Sequence, residues 1–211
     1  FTSGSTGQPK GVLQNHRNVL NQIKRETNGL HICADDRLIL VRSCSAIGGI
    51  RIVLSALLNG AAVYPLNVAQ VGHAELAGVL EREEITIYDS TPTTFRHFIP
   101  VLANEQRLPH LRLIRLSSEP VHKQDVELYK KHFSRDCIFA NSLGLTETAG
   151  TIRHNLIDHD TKITSDTVPV GYGVEEMEVL LLDDNGHEVG ADEIGEIAVR
   201  SSYLSPGYWG N

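Results

Sequence analysis

Chemistry is most legible at the amino-terminal end of the chain. Thr2, Ser3, Gly4, Ser5, Thr6 and Gly7 are followed directly by Gln8, Pro9, Lys10 and Gly11. Gly4 and Gly7 let the backbone curl so that successive N–H groups face one centre, an arrangement that holds an anion. The hydroxyls of Thr2, Ser3, Ser5 and Thr6 add short donors, and Lys10 adds a charge that can reach a phosphate oxygen. The combination is suited to polyphosphate. A flexible Ser/Gly linker shares the composition. It does not call for Pro9-Lys10-Gly11, nor for Val12, Leu13 and a helix over residues 15–28 immediately behind. A Walker loop fails in detail, because it places Gly-Lys-Ser/Thr at the helix start. Here Pro precedes the lysine and Gly follows it.

Other clusters carry less. His154 and His159 lie near Asp158 and Asp160, but ten histidines are scattered along the chain and chance proximity accounts for the group. No Gly-x-Ser-x-Gly elbow is present, so a serine hydrolase is unsupported. The odd set Cys33, Cys44 and Cys137 has no Cys-x-x-Cys spacing and reads as reduced core residues of a cytoplasmic protein.

The elements that must position the loop follow from the apolar pattern. Residues 38–41, 61–64, 85–88, 111–116 and 137–140 are short apolar runs that predict strands. Helix-period segments lie between them, over 50–58, 74–84, from Thr91-Pro92 onward, and around Val126, Tyr129 and Phe133. Strands alternating with such helices predict a parallel sheet covered by helices. After about Gly150 the pattern changes to short strands over 168–174, 177–182 and 193–200, with Asp184-Asn185-Gly186 as a turn signal. The expected fold is therefore α/β, a mainly parallel sheet flanked by helices and followed by a small antiparallel β unit. The expected division is a nucleotide-binding α/β subdomain over 1–150 and a β-rich subdomain over 151–211, truncated at its C-terminal side.

Composition agrees. Of 211 residues, 26 are acidic and 19 basic, for a net charge of −7, which lacks the footprint of a nucleic-acid binder. No apolar run is long enough to span a membrane, and no signal peptide is visible. The chain begins inside a motif, without an initiator Met, and ends without a closing helix, so it reads as a piece of a longer polypeptide.

The first eleven residues closely resemble the phosphate-binding motif of the adenylate-forming superfamily, which includes acyl-CoA synthetases, luciferases and the adenylation domains of nonribosomal peptide synthetases. Asn141-Ser142-Leu143-Gly144-Leu145-Thr146-Glu147-Thr148 resembles that family's second nucleotide motif, commonly Asn-x-Tyr-Gly-x-Thr-Glu. Gly195-Glu196-Ile197-Ala198-Val199-Arg200, with Gly207-Tyr208-Trp209-Gly210-Asn211, resembles its third. All three occur in family order, and the adenylation domains of nonribosomal peptide synthetases are the most similar branch.

The resemblance implies activation of a carboxylic acid by ATP and Mg²⁺, giving an acyl-adenylate and pyrophosphate, with later transfer to a thiol on a carrier protein or CoA. It implies that the loop from Thr2 to Gly7 and Lys10 cradle the β- and γ-phosphates. Thr146 would meet the α-phosphate, and Glu147 would hold Mg²⁺, which favours hard carboxylate oxygens. Ser118, Glu119 and Pro120 correspond to a turn that packs on adenine, beside Asn141, Ser142, Leu143 and Gly144. Ser117-Ser118 stands where the family often has Gly-Gly, and Leu143 where it usually has a stacking aromatic. Near Ile47, where an Asp often binds an α-ammonium group, Ser45-Ala46-Ile47-Gly48-Gly49 has no carboxylate. A buried ammonium without a counter-charge is costly, which tilts the substrate toward a fatty, hydroxy or keto acid. The alternatives are an acyl-CoA synthetase or fatty acyl-AMP ligase fragment, and a non-catalytic nucleotide-binding remnant. By the same resemblance a ribose-binding Asp and a catalytic Lys lie beyond Asn211, in the remaining parts of the polypeptide. The isolated chain is accordingly expected to be inactive.

Overall fold

The inner strands of the main sheet alternate their side chains between two buried faces, and this decides where the helices lie. The computed structural model describes residues 1–3, 9–102 and 108–210. Strands β1 (Thr2–Ser3) and β2 (Pro9–Lys10) form a small antiparallel pair. There follow α1 (His16–Leu30), β3 (Arg37–Leu40), α2 (Ile47–Leu58), β4 (Ala62–Pro65), α3 (Val68–Arg82) and β5 (Ile87–Ser90). Next come α4 (Pro92–Phe98), β6 (Leu113–Ser117), α5 (Lys123–His132), β7 (Ile138–Leu145) and β8 (Gly150–Ile157). The last strands are β9 (Tyr172–Gly173), β10 (Glu178–Leu182) and β11 (Glu196–Arg200).

The seven-stranded sheet has the order β4-β3-β5-β6-β7-β8-β9. β4, β3, β5, β6 and β7 run parallel, while β8 and β9 add antiparallel at one side. Ile39, Tyr88, Ile114 and Phe139 point into a core completed by Leu76 and Leu80 of α3, Phe95 of α4, and Val126 and Tyr129 of α5. Their neighbours Leu38, Ile87, Leu113 and Ala140 point the other way, onto Leu30 of α1 and Ile52 and Ala56 of α2. Helices thus cover both faces, as a parallel sheet requires.

Local signals set the element ends. Asn15 caps α1 reciprocally with Asn18, each side chain accepting from the other's backbone N–H at 3.0 Å. Thr91 caps α4 by accepting from Thr94 N at 3.2 Å, with Pro92 in the first turn, where its missing N–H is not needed. α3 is kinked at Gly72, with φ 84°, just before the apolar period of Leu76, Val79 and Leu80 begins.

The β10–β11 pair is antiparallel, with Glu178 opposite Arg200 and Leu182 opposite Glu196, as the sequence predicts. Two expectations need correction, and one strand is additional. Residues 168–174 are not a continuous strand, because Pro169 lacks a donor and Gly171 takes a φ of 69°, so only Tyr172 and Gly173 pair. Strand β8 was not anticipated and extends the main sheet past Gly150. Cys33 and Cys44 are exposed; Cys137 alone of the three is a core residue. Among the described residues no helix is long and apolar enough to cross a membrane.

Candidate nucleotide site

The first and third motifs are stitched together by backbone. Leu13 N donates to Gly207 O at 2.9 Å and Trp209 N to Gly11 O at 2.7 Å, with Val12 bridged to Tyr208. This pairing brings Lys10 Nζ to 5.4 Å from the centre of the Tyr208 ring, a cation–π contact. Gly4, Ser5, Thr6 and Gly7 lie outside the described residues, as does the side chain of Ser3. Thr2 and Lys10 face each other across the β1–β2 pair that flanks this stretch.

The second motif begins on β7 and leaves the sheet by a bulge. The register of β7 against β8 shifts between Leu143 and Gly144. A Cβ on Gly144 would lie 2.7 Å from the carbonyl oxygen of Gly150, so only glycine fits there. The chain then turns through a short 3₁₀ segment, Thr146–Thr148. Gln14 Nε2 donates to Thr146 O at 2.7 Å and Ser205 N donates to Glu147 O at 2.7 Å. The Tyr208 hydroxyl donates to Glu147 Oε1 at 2.8 Å, and the carboxylate raises the phenol's pKa, keeping the donor protonated. Glu147 Oε2 and the Thr146 hydroxyl have no hydrogen-bond partner among the described residues.

Ser118, Glu119 and Pro120 follow β6, with Ser118 at φ 76°, a left-handed turn conformation. Glu119 accepts from Thr93 N at 3.0 Å and Thr93 Oγ1 at 2.6 Å, which ties the turn to α4. Burial alone would raise the Glu119 pKa, but these Thr93 bonds outweigh it and hold the carboxyl low. Asn141 Nδ2 donates to the carbonyls of Val168 and Pro169 at 2.9 and 3.1 Å, fixing the opposite wall. Between the two walls lies a cleft of about 380 Å³, lined by Ser118, Pro120, Leu143, Gly144, Val168 and Val170 among others. That size falls in the range of small-molecule sites, and apolar side chains with exposed backbone suit a flat heteroaromatic base.

The cleft therefore fits a nucleotide base, and the unpartnered Glu147 Oε2 fits a hard divalent cation such as Mg²⁺. Sequence reasoning singled out Ser118, Glu119, Pro120, Asn141, Ser142, Leu143 and Gly144 of this cleft but missed Val121, Thr167, Val168 and Val170 of its lining, and Gln14, Ser205 and the contacts of Tyr208. These act only through the fold, and no local pattern marks them.

A family model described as AMP-binding enzyme matches residues 1–209. The chain belongs to the AMP-binding enzyme family. Its AMP-binding relatives include adenylation domains of nonribosomal peptide synthetases. Bacitracin synthase 3 of Bacillus licheniformis is 29% identical over 209 residues, which is 99% of this chain and 3% of that protein. A long-chain fatty-acid CoA ligase described from Rhodopseudomonas palustris superposes with a TM-score of 0.84 at 19% identity, over 99% of this chain and 50% of that one. O-succinylbenzoate coenzyme A synthetase of Bacillus subtilis, solved with ATP and magnesium, gives 0.80 at 24% identity, over 100% and 42%. The AMP-binding chain thus spans half or less of each of these three relatives.

Proposed function

We propose that this chain carries the nucleotide- and acid-binding part of an enzyme that joins a carboxylic acid to AMP and then passes the acyl group to a thiol, that of a carrier-protein phosphopantetheine. The observation that carries this reading is the convergence of Lys10, Tyr208 and Glu147, one from each motif, within hydrogen-bond or cation–π contact of a neighbour in the set. Lys10 has no ion-pair partner among the described residues, so its charge is available to an anion. It would neutralise the pyrophosphate as that group departs, and the Thr146 hydroxyl would donate to the α-phosphate, where charge develops as the acid attacks in line. Mg²⁺, when bound through Glu147, supplies charge neutralisation on the phosphate oxygens. Tyr208 orients Glu147 by occupying Oε1 and leaving Oε2 outward.

The test is ATP–pyrophosphate exchange by the polypeptide that contains this chain, offered a panel of fatty, hydroxy, keto, dicarboxylic and amino acids. Acid-dependent exchange is expected, reduced by about 10²–10³-fold in Lys10→Ala, the usual effect of deleting one preorganised donor. Exchange of equal rate in the variant, or none with any acid, would contradict the reading. Acyl transfer to CoA in place of a carrier protein would reassign the acceptor.

A further inference from the structure

Below the nucleotide cleft, and sharing Ser118, Ser142 and Gly144 with it, lies a second, smaller cleft of about 50 Å³. Its wall carries Ile47 and Arg51 of α2, Arg115 and Ser117 of β6, Ser142 of β7 and Thr151 of β8. The sheet's alternation explains why charge gathers here. Asp89, Arg115 and Ser142 each stand two residues beyond Ile87, Leu113 and Ala140, so they share the α1–α2 face at the carboxyl ends of adjacent parallel strands. Open α/β sheets bind ligands at that edge.

Three guanidiniums meet two carboxylates in this layer. Arg51 donates to Glu26 Oε1 at 2.7 Å and to Asp89 Oδ2 at 2.5 Å. Arg115 donates to Glu26 Oε1 at 2.6 Å and to Ser142 Oγ at 3.1 Å, and also to Thr151 Oγ1. Arg42 donates to Asp89 Oδ1 at 2.7 Å and to the Ser118 hydroxyl at 3.2 Å. Arg51 and Arg115 are 6% and 3% exposed, and Glu26 and Asp89 are 4% and 5%. Arginine stays protonated in proteins, and both carboxyl groups have lowered pKa values because the guanidiniums overcome their burial. One positive charge is left over in a nearly dry layer. Arg25 also reaches the carbonyl of Thr151, but it has Glu175 and Glu176 as further counter-charges.

The unused donors point to what would balance that charge. Arg51 Nε has no partner among the described residues, and Arg51 lines the cleft. Ser142 and Thr151 accept from Arg115, so their own O–H groups remain to donate. No Asp or Glu lines the cleft, which disfavours an ammonium, and its volume admits only about four water-sized groups, which disfavours a long alkyl chain. We propose that this cleft selects a short dicarboxylic acid, whose distal carboxylate meets Arg51 and the Ser142 and Thr151 hydroxyls while the reacting carboxylate lies toward the nucleotide. The assignment rests on the reading of the larger cleft as the nucleotide site.

The test is calorimetric titration of the 211-residue chain, with MgATP first and then, at saturating MgATP, with succinate, butyrate and 4-aminobutyrate. Absence of MgATP binding would overturn the nucleotide reading itself. With MgATP bound, succinate should bind tighter than butyrate by about tenfold or more, the scale of a charged hydrogen bond, and 4-aminobutyrate weakest of the three. Ile47→Glu adds a carboxylate at the first turn of α2, where a negative charge is favourable, and replaces none of the residues of the buried ion pairs. It should abolish the preference for succinate while MgATP binding persists. Equal binding of succinate and butyrate by the parent chain, or an unchanged preference in Ile47→Glu, would overturn the proposal.

Discussion

Tyr208 and Glu147 are 61 residues apart in sequence, and the phenol donates to the carboxylate at 2.8 Å. This contact joins the third motif to the second, and Lys10 of the first lies over the same ring at 5.4 Å. Tyr208 is thus the residue through which all three motifs meet. Its removal should act on the metal rather than on the base. In Tyr208→Phe, the Mg²⁺ concentration needed for half-maximal ATP binding is expected to rise by about tenfold, the low end for losing a partner of a metal ligand. Adenosine binding should be unchanged. Fluorescence titration of Mg²⁺ at fixed ATP checks this, and an unaltered Mg²⁺ dependence would disconnect Tyr208 from the metal.

Leu143 forms part of the apolar lining of the larger cleft and offers no aromatic face. Leu143→Tyr should tighten adenosine and ATP binding alike, by about 2–10-fold, corresponding to roughly 0.5–1.5 kcal/mol of aromatic stacking. Equilibrium dialysis of both ligands checks it. Weaker binding of both would show that the base does not lie against residue 143.

Gly144 cannot carry a side chain without displacing the Gly150 backbone, 2.7 Å from the position of its Cβ. Gly144→Ala is expected to destabilise the chain by about 1–3 kcal/mol, as overpacking does. It should also weaken nucleotide binding, because the bulge sets the height of Leu143 and Thr146. Urea unfolding monitored by the single tryptophan, Trp209, reads the first effect. A variant as stable as the parent would show that the bulge can slide.

The buried ion pairs give a signed pH dependence. Burial alone would raise the Asp89 carboxyl, but Arg51, Arg42 and Arg115 reverse this and hold it at about 2, against an ordinary value of 3.8. The unfolded chain therefore binds this proton more tightly, and stability falls with acid. The contribution of Asp89 is complete above its unfolded pKa and is lost as pH drops from near 4 toward 2. At neutral pH, Asp89→Asn should cost about 3–5 kcal/mol, since it strands buried guanidinium charge. The difference in unfolding free energy between parent and variant should narrow below pH 4. A gap that stays constant from pH 7 to pH 3 would mean that the charge on Asp89 is not what stabilises the layer.

Much of this molecule is readable from its sequence where a single physical signal dominates. Apolar runs placed β3 to β7, and Asn15 and Thr91 mark helix starts because their side chains cap the backbone. Strand β8, Gly150–Ile157, was invisible because Thr151, Arg153, His154 and Asn155 break the apolar alternation. Thr151 instead accepts from the buried Arg115, and Arg153 and Asn155 donate to the carbonyls of Gly171 and Pro169. Arg51, Arg115, Glu26 and Asp89 were missed for a related reason: charges in sequence read as surface, and only the sheet register brings these four together. The period-two placement of Asp89, Arg115 and Ser142 behind apolar strand residues is the signal that could have found them. The nucleotide motifs were legible as residues, whereas the dependence of Glu147 on Tyr208 belongs to the fold.

On the proposed reading, Lys10 serves the departing phosphates and the cleft between Ser118 and Leu143 serves the base. Calorimetric titration of parent and Lys10→Ala chains with MgATP, MgAMP and adenosine tests it most directly. Lys10→Ala is expected to weaken MgATP binding by about tenfold or more, the scale of one charge-assisted bond, and to leave adenosine and MgAMP within about twofold. Equal loss for all three ligands, or no loss for MgATP, would contradict it.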